Sequence, residues 1–433
     1  MTRRILLASA AAAALLTQTR YASAQQMSFI GGVSSSWAPA ISPATGIQIG
    51  DGVILHTGVS VEGGYDSNVF YNDDTKVGAT LVRVTPFIDI NNATRTGEVP
   101  SGIAYDLNAT LTYREYFSDQ EDVTRLRAFV PTVRGSLGHT NGGTLTESVT
   151  EAYTRAEDAP YYRGTSQQLI IRDNNVASAQ LGWAPGGGRL QSVLRYTNTL
   201  DIFETDSLKS ANSLGHEALL DVSWRWLPKT ALYLQLRQGY ISYLNADTQA
   251  ELGDKSSSYP LRAVLGVRGL ITEKTSVAVG FGYQNAFYSN GATTSGFLGS
   301  TTVAAELVVL PLMFTRVVLG GRHDFQNSVI GNFFYDDGVY ASLSQQTVAK
   351  LVGQVWVSYD HRRFYGLHDA PDPRVDNLVQ AGAIFDYYLK NWAYAGLSYT
   401  LALNRSDYKP MDMTLSGATY TKQQIFARVG ITY

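Results

Sequence analysis

No cysteine occurs among the 433 residues, so neither a disulfide nor a thiolate metal site contributes to the fold. Charge is sparse: Asp, Glu, Lys and Arg together make up 16% of the chain, and the net charge of −3 argues against a nucleic-acid partner. No run of 18 or more apolar residues is present, which excludes a helical membrane protein. Catalytic and cofactor signals are also missing. There is no G-x-S-x-G elbow, and the six His residues show no metal-ligand spacing. His361 and His368 fall in one expected loop with Asp369 and Asp372, where they read as ordinary polar groups. Gly186-Gly187-Gly188 reads as a turn, because no helix pattern follows to cradle a phosphate. The expectation is a non-enzyme without cofactor or metal.

What is there alternates. The final nine residues place Ile425, Ala427, Val429, Ile431 and Tyr433 on one face and Phe426, Arg428, Gly430 and Thr432 on the other. A strand with one wholly apolar face and an aromatic end is expected of the last strand of a transmembrane β-barrel. Ile431 and Tyr433 are the expected signal for the barrel-assembly machinery. At the other end, Thr2-Arg3-Arg4 precedes the apolar stretch 5–16, and Ala22-Ser23-Ala24 supplies a cleavage pattern. Residues 1–24 read as a secretory signal peptide, 25–50 as a periplasmic lead-in, and 51–433 as an outer-membrane barrel.

Four segments show the two faces most clearly. Tyr105, Leu107, Ala109, Leu111 and Tyr113 oppose Asp106, Asn108, Thr110, Thr112 and Arg114. Ala218, Leu220, Val222, Trp224 and Trp226 oppose Glu217, Asp221 and Arg225. Leu261, Ala263, Leu265 and Val267 oppose Arg262 and Arg268, and Leu351, Val355, Val357 and Tyr359 oppose Lys350, Gln354 and Asp360. A mean hydropathy of −0.10 is what two such faces average to. Short links such as 227–229, 272–274 and 390–391 alternate with long ones such as 204–213, 245–258 and 361–374. This predicts an all-β, antiparallel up-and-down barrel of about eighteen strands (sixteen as the alternative) with both termini in the periplasm. Trp224 and Trp226, Tyr240 and Tyr243, and Tyr387 and Tyr388 are expected in interfacial girdles.

The stretch Tyr65-Asp66-Ser67-Asn68-Val69-Phe70, followed by Tyr71, resembles the type 2 family of outer-membrane β-barrel porins of Gram-negative bacteria. Arg374-Val375-Asp376, Tyr387-Tyr388-Leu389, Tyr399 and the segment 404–408 are similar to the end of the same family. The motifs cover only these two ends, and the remainder is similar by architecture. The resemblance implies export of exopolysaccharide or capsule, with periplasmic polysaccharide export and co-polymerase proteins as partners and the polymer as cargo. On their own chemistry, Asp66, Ser67 and Asn68 are turn formers and Val69, Phe70 and Tyr71 an interface anchor, with a direct ligand role as the alternative.

The expected site is the inner face. Its charged candidates are Arg83, Asp106, Arg114, Glu217, Asp221, Arg225, Arg237, Arg262, Arg268, Glu306, Arg322, Lys350 and Asp386, which pair across strands to hold the wall or line a polar conduit. Trp356, Trp392 and Tyr394 either offer flat faces to sugar rings or fill space beside Gly382 and Gly396. An exit pore for a secreted polysaccharide is the first functional expectation. A general or solute-specific diffusion porin is the alternative, and a barrel hydrolase using His216 or His323, or an adhesin, comes after both.

Overall fold

Antiparallel strands form almost the whole structure. In this computed structural model, residues 46–433 are described apart from 50–51, 93–101, 141–143, 159–169, 246–255, 290–298, 313, 330, 347–349, 366–372 and 409–417. The expected signal peptide and most of the lead-in lie outside the described residues, as do His368, Asp369 and Asp372. A two-residue strand, β1 (Ile47–Gln48), pairs with the start of β2 (Ile54–Asp66). Then come β3 (Ala79–Asn91), β4 (Gly102–Phe117), a single helical turn α1 (Glu121–Thr124), β5 (Ala128–Thr140), β6 (Leu145–Asp158) and β7 (Ile170–Trp183). The wall continues through β8 (Leu190–Phe203), β9 (Ser213–Leu227), β10 (Thr230–Tyr243), β11 (Leu261–Thr272), β12 (Thr275–Asn285) and β13 (Thr301–Leu312). It ends with β14 (Thr315–Asn327), β15 (Phe333–Gln346), β16 (Leu351–Tyr365), β17 (Arg374–Lys390), β18 (Ala393–Ser406) and β19 (Tyr420–Thr432).

Each strand from β2 onward pairs with the next, and β19 pairs with β2, so eighteen strands close on themselves. The seam runs from Gln424 opposite Asp66 to Thr432 opposite Gly58. Tyr433 N donates to Thr57 O at 2.8 Å and Thr57 N to Tyr433 O at 3.2 Å, which extends the ladder to the last residue. Closure leaves no strand edge, the condition for placing a sheet in hydrocarbon. The links follow the expected asymmetry. At one rim, here the turn end, β9–β10, β11–β12, β13–β14 and β17–β18 are joined by two residues each. At the other, the loop end, links such as 67–78, 118–127, 204–212 and 244–260 are longer. One expected boundary moves: β16 runs to Tyr365, so His361 belongs to a strand rather than a loop, held there by pairing with Asn377.

The two faces differ in chemistry. Outside, Leu265, Leu397, Val429 and Ile425 are each more than half exposed, and their neighbours on this face are similarly apolar. So continuous an apolar surface belongs in lipid rather than water. Trp183, Trp224, Trp226, Tyr387 and Trp392 ring the turn end, while Tyr65, Phe117, Phe129, Tyr240, Tyr283 and Tyr359 lie toward the loop end. These are the interfacial girdles of an outer-membrane barrel. Tyr243 and Tyr388, expected with them, fall on the opposite parity and face inward. Tyr388 packs 6.0 Å from the inner-face Tyr394.

A chain of charges crosses the closing seam on the inside. Arg428 on β19 donates through Nε and Nη2 to the two oxygens of Asp386 on β17, at 2.8 and 2.5 Å. Arg428 also lies 3.9 Å from Glu62 on β2, which in turn lies 3.6 Å from Arg83 on β3. The Asp386–Arg428 bridge steps over β18 at Gly396, where a Cβ would stand 2.1 Å from Asp386 Oδ1. Both partners of the bridge are buried. Removing one partner strands a buried charge, at a cost of about 3–5 kcal/mol. Arg428→Leu is therefore expected to destabilise the barrel by about that amount, and Asp386→Leu with Arg428→Leu to recover most of it. Urea titration of protein folded into lipid vesicles measures both; a single variant as stable as the parent contradicts the clamp.

Candidate functional site

The inner wall is a lattice of ion pairs, and most of the predicted site residues are in it. Alternation alone directs these side chains inward, because their strand neighbours face lipid. Beside the seam clamp, Lys422 Nζ lies 2.8 Å from Asp66, which also accepts from Gln424 Nε2 at 2.7 Å. Arg322 on β14 donates to Asp336 on β15 and Asp360 on β16, both at 2.7 Å, passing Gly338 on the intervening strand. Arg362 lies 3.5 Å from Asp336, and Arg374 donates to Asp376 at 2.5 Å. On the far wall, Arg268 donates to Asp221 at 3.0 Å across β10, and Arg237 lies 3.6 Å from Glu217. Arg262 reaches Asp324 at 2.9 Å.

The other predicted inner-face charges divide three ways. Glu306 accepts from Tyr340 Oη at 2.7 Å, and Asp106 sits in register with Asn91 and Ser136. Arg114 donates to the Leu126 carbonyl at 2.9 Å, which ties the α1 segment to the wall. Arg225 lies exposed near the turn end of β9. Lys350 is not on the wall at all. It occupies the turn before β16 with φ of 83°, and its Nζ donates to the Leu389 carbonyl.

Inward aromatic rings lie flat against glycines of neighbouring strands. Trp356 covers Gly382 and Tyr394 covers Gly430, where an added Cβ would fall within 2.6 and 2.3 Å of the rings. Tyr394 is buried there, and Trp356 is half-buried. Trp392, expected beside them, lies in the two-residue link at the turn-end rim, exposed. Phe87 over Gly58, Phe426 over Gly64, Tyr340 over Gly320 and Tyr233 beside Gly266 repeat the arrangement. Sequence reasoning missed these four, because ring and glycine lie on different strands and only the register brings them together.

Several described loops turn in over this wall. The segment 67–78 buries Val69 and Phe70 with Leu81, Tyr116, Phe426 and Val123 of α1. Tyr71, at φ of 55°, packs edge-on to Tyr420 at 5.1 Å, and Lys422 Nζ sits 3.8 Å over its ring. The Tyr65–Phe70 motif holds this fold. Asp66 Oδ1 accepts from Asn68 N at 3.0 Å, an Asx turn. Asn68, fully buried, donates to the carbonyls of Asn72 and Thr421 and accepts from Asn72 N. Ser67 Oγ accepts from Gln423 N at 2.8 Å. The motif thus sets the corner beside the closing seam. Leu208, in the 3-10 turn Asp206–Ala211, is buried near Phe203 at the same rim.

The two histidines considered for hydrolysis point away from the lumen. His216 shares the outer parity of Ala218 and Leu220, and its Nδ1 lies 2.7 Å from Tyr196 Oη. His323 stacks on Tyr335 and pairs with Asp337 on the outer side of β14 and β15. Neither stands where a lumenal substrate would meet it.

No protein-family model matches the chain, and no curated protein does. Solved structures similar to it include OpdK from Pseudomonas aeruginosa with vanillate, at 10% identity over 88% of this chain and 99% of that one, TM-score 0.47. OpdQ from the same organism is 9% identical over 87% and 99%, TM-score 0.43. The FrpB iron transporter from Neisseria meningitidis is 8% identical over 87% and 81%, TM-score 0.48. What establishes the architecture is the chain's own closed ladder and apolar exterior: this is an outer-membrane β-barrel.

Proposed function

We propose that the barrel is an aqueous pore and that its cargo is a secreted polysaccharide leaving the cell. The inner wall is the observation that carries this reading. Eighteen strands enclose a lumen wide enough for water, whereas eight are filled by their own side chains. Around it, charges are neutralised pairwise, so the wall is wet but offers few isolated charges to trap a hydrated chain. Aromatic rings folded onto glycines keep the wall smooth, and half-buried Trp356 leaves a ring face for sugars. The likeness of the Tyr65–Phe70 stretch and the 374–408 region to exporting barrels supports the choice of polymer. In this reading the turn end faces the periplasm. Export and co-polymerase proteins there supply direction, while conduction through the barrel is passive.

Deleting the coding region is expected to reduce polysaccharide at the cell surface and in the medium to background, with recovery from a plasmid copy. Unchanged export in a strain that makes the polymer overturns the cargo.

A diffusion porin for small solutes is the second reading, favoured by the inward packing of 67–78 over the wall of β19, β2, β3 and β4. Purified protein in planar bilayers separates the two. Shortening the exposed tip within 73–76, outside the buried cluster and the Asn68–Asn72 corner, is expected to raise single-channel conductance while leaving the barrel folded. A solute that blocks the intact channel at micromolar concentration would favour the porin instead.

A further inference from the structure

The cations at the two ends of the barrel differ in what stands beside them. At the loop end, Lys76 lies 2.9 Å from Asp73, Arg125 pairs with Glu121, and Arg127 reaches Glu115 at 4.0 Å. At the turn end, Arg189, Arg225, Arg316 and Lys390 make no ion pair among the described residues. Lys229 and Lys274 add to the same charge from the two-residue links, and Glu273 is the one acid in the described links of this rim.

Parity decides what these groups meet. Arg225 shares the inner parity of Asp221 on β9, and Arg316 that of Arg322 on β14, so both face the lumen rather than lipid headgroups. Arg189 stands beside Arg225, since Arg225 N donates to the Arg189 carbonyl at 2.7 Å. Both side chains are exposed. The Arg225 guanidinium reaches over the turn Gly186–Gly188. A Cβ added at Gly188 would stand 3.5 Å from Arg225 Nη2 and 3.2 Å from Gln191 Nε2. Two donors therefore border the open space above Gly188. Like charges side by side are unfavourable, and higher on the same strand Asp221 is matched by Arg268. At the mouth that match is missing. Further up, Arg134 is exposed on the inner face of β5, in register with Asn108 and Ala152 and without an ion pair among the described residues.

We propose that the turn-end mouth is an anion-collecting vestibule and that the exported polymer is acidic, carrying carboxylate or comparable anionic groups along its chain. This rests on the export reading, in which the turn end is the entrance. A mouth lined by one sign of charge concentrates ions of the other sign, and a guanidinium offers a carboxylate two parallel hydrogen bonds. Because the arginines are exposed, each contact is weak and the chain moves on. Above the mouth it meets a wall whose charges are mostly paired, and at the loop end the exposed Asp74 and Asp119 repel it outward.

Reversal potentials of the purified protein in planar bilayers under a KCl gradient are expected to favour chloride over potassium. Polygalacturonate oligomers are expected to block the current, and dextran of equal length to leave it open. Arg189→Gln with Arg225→Gln is expected to shift selectivity toward potassium and to weaken the polygalacturonate block about fivefold, while heat-modifiable migration on gels still reports a folded barrel. Arg125→Gln at the loop end is expected to leave block and selectivity unchanged. A parent pore that favours potassium, a parent blocked alike by both polymers, or selectivity that survives the double substitution would each overturn the vestibule. Equal block together with an acidic periplasmic protein retained by the parent and lost from the double variant would assign the arginines to that partner instead. The two readings fail separately. A non-selective pore in a strain whose export stops on deletion removes the acidic class and keeps export, whereas unchanged export removes the polymer and leaves the selectivity of the pore as measured.

Discussion

In hydrocarbon, an unpaired backbone N–H or C=O has no water to fall back on, and each costs several kcal/mol. Everything else in this molecule depends on the closure that this constraint imposes. The ladder between β19 and β2 continues to the final residue, through the reciprocal bonds of Tyr433 and Thr57. Once the ring is closed, each strand has one side in lipid and one in the lumen, and the composition of each face follows. The exterior can be Leu, Val and Ile because it never meets water. The interior can carry buried Asp and Arg because their partners stand within reach on nearby strands.

The lumen pairs are more than adjacent opposites. Asp386–Arg428 and Arg322–Asp360 each reach across an intervening strand, and in both cases a glycine lies beneath the bridge. A larger residue at Gly396 or Gly338 would collide with the carboxylate, so glycine placement and ion-pair reach form one device. The aromatic rings use the same economy of space on Gly382, Gly430 and Gly64. The result is a wall whose charges restrain one another and whose rings lie flat. On the outside, polar side chains occur in a few places among the described residues, at Glu151 with Asn175 and at His323 with Asp337.

Much of the barrel was legible because alternation is a local property. The faces of β4, β9, β11 and most of β16 followed from their own residues, and the strand number from the count of alternating segments. Errors arose where a boundary depended on a neighbour. His361 became part of β16 because Asn377 stands opposite it. Lys350 and Trp392 fell into turns because the hairpins close one or two residues away from where the alternation stops. Tyr243 and Tyr388 look like girdle residues by position but have inward parity. In the site, the charged residues were mostly legible, and their partners were not. Arg83 could be read as inward from β3, but Glu62 and Arg428 beside it come from opposite ends of the chain.

The amino-acid order alone determined which side of each strand is apolar and that the sheet needs a membrane, because side chains alternate with a period of two whatever the neighbours are. It also determined the corner at Asp66–Asn68, since Asx turns form within a few residues. Tertiary structure decided which acid meets which base, which ring covers which glycine, and that Glu151 meets Asn175 on the outer face. Those pairings are set by strand register around a closed circle. Register belongs to the whole ring, because shifting any one strand moves every contact its two neighbours make.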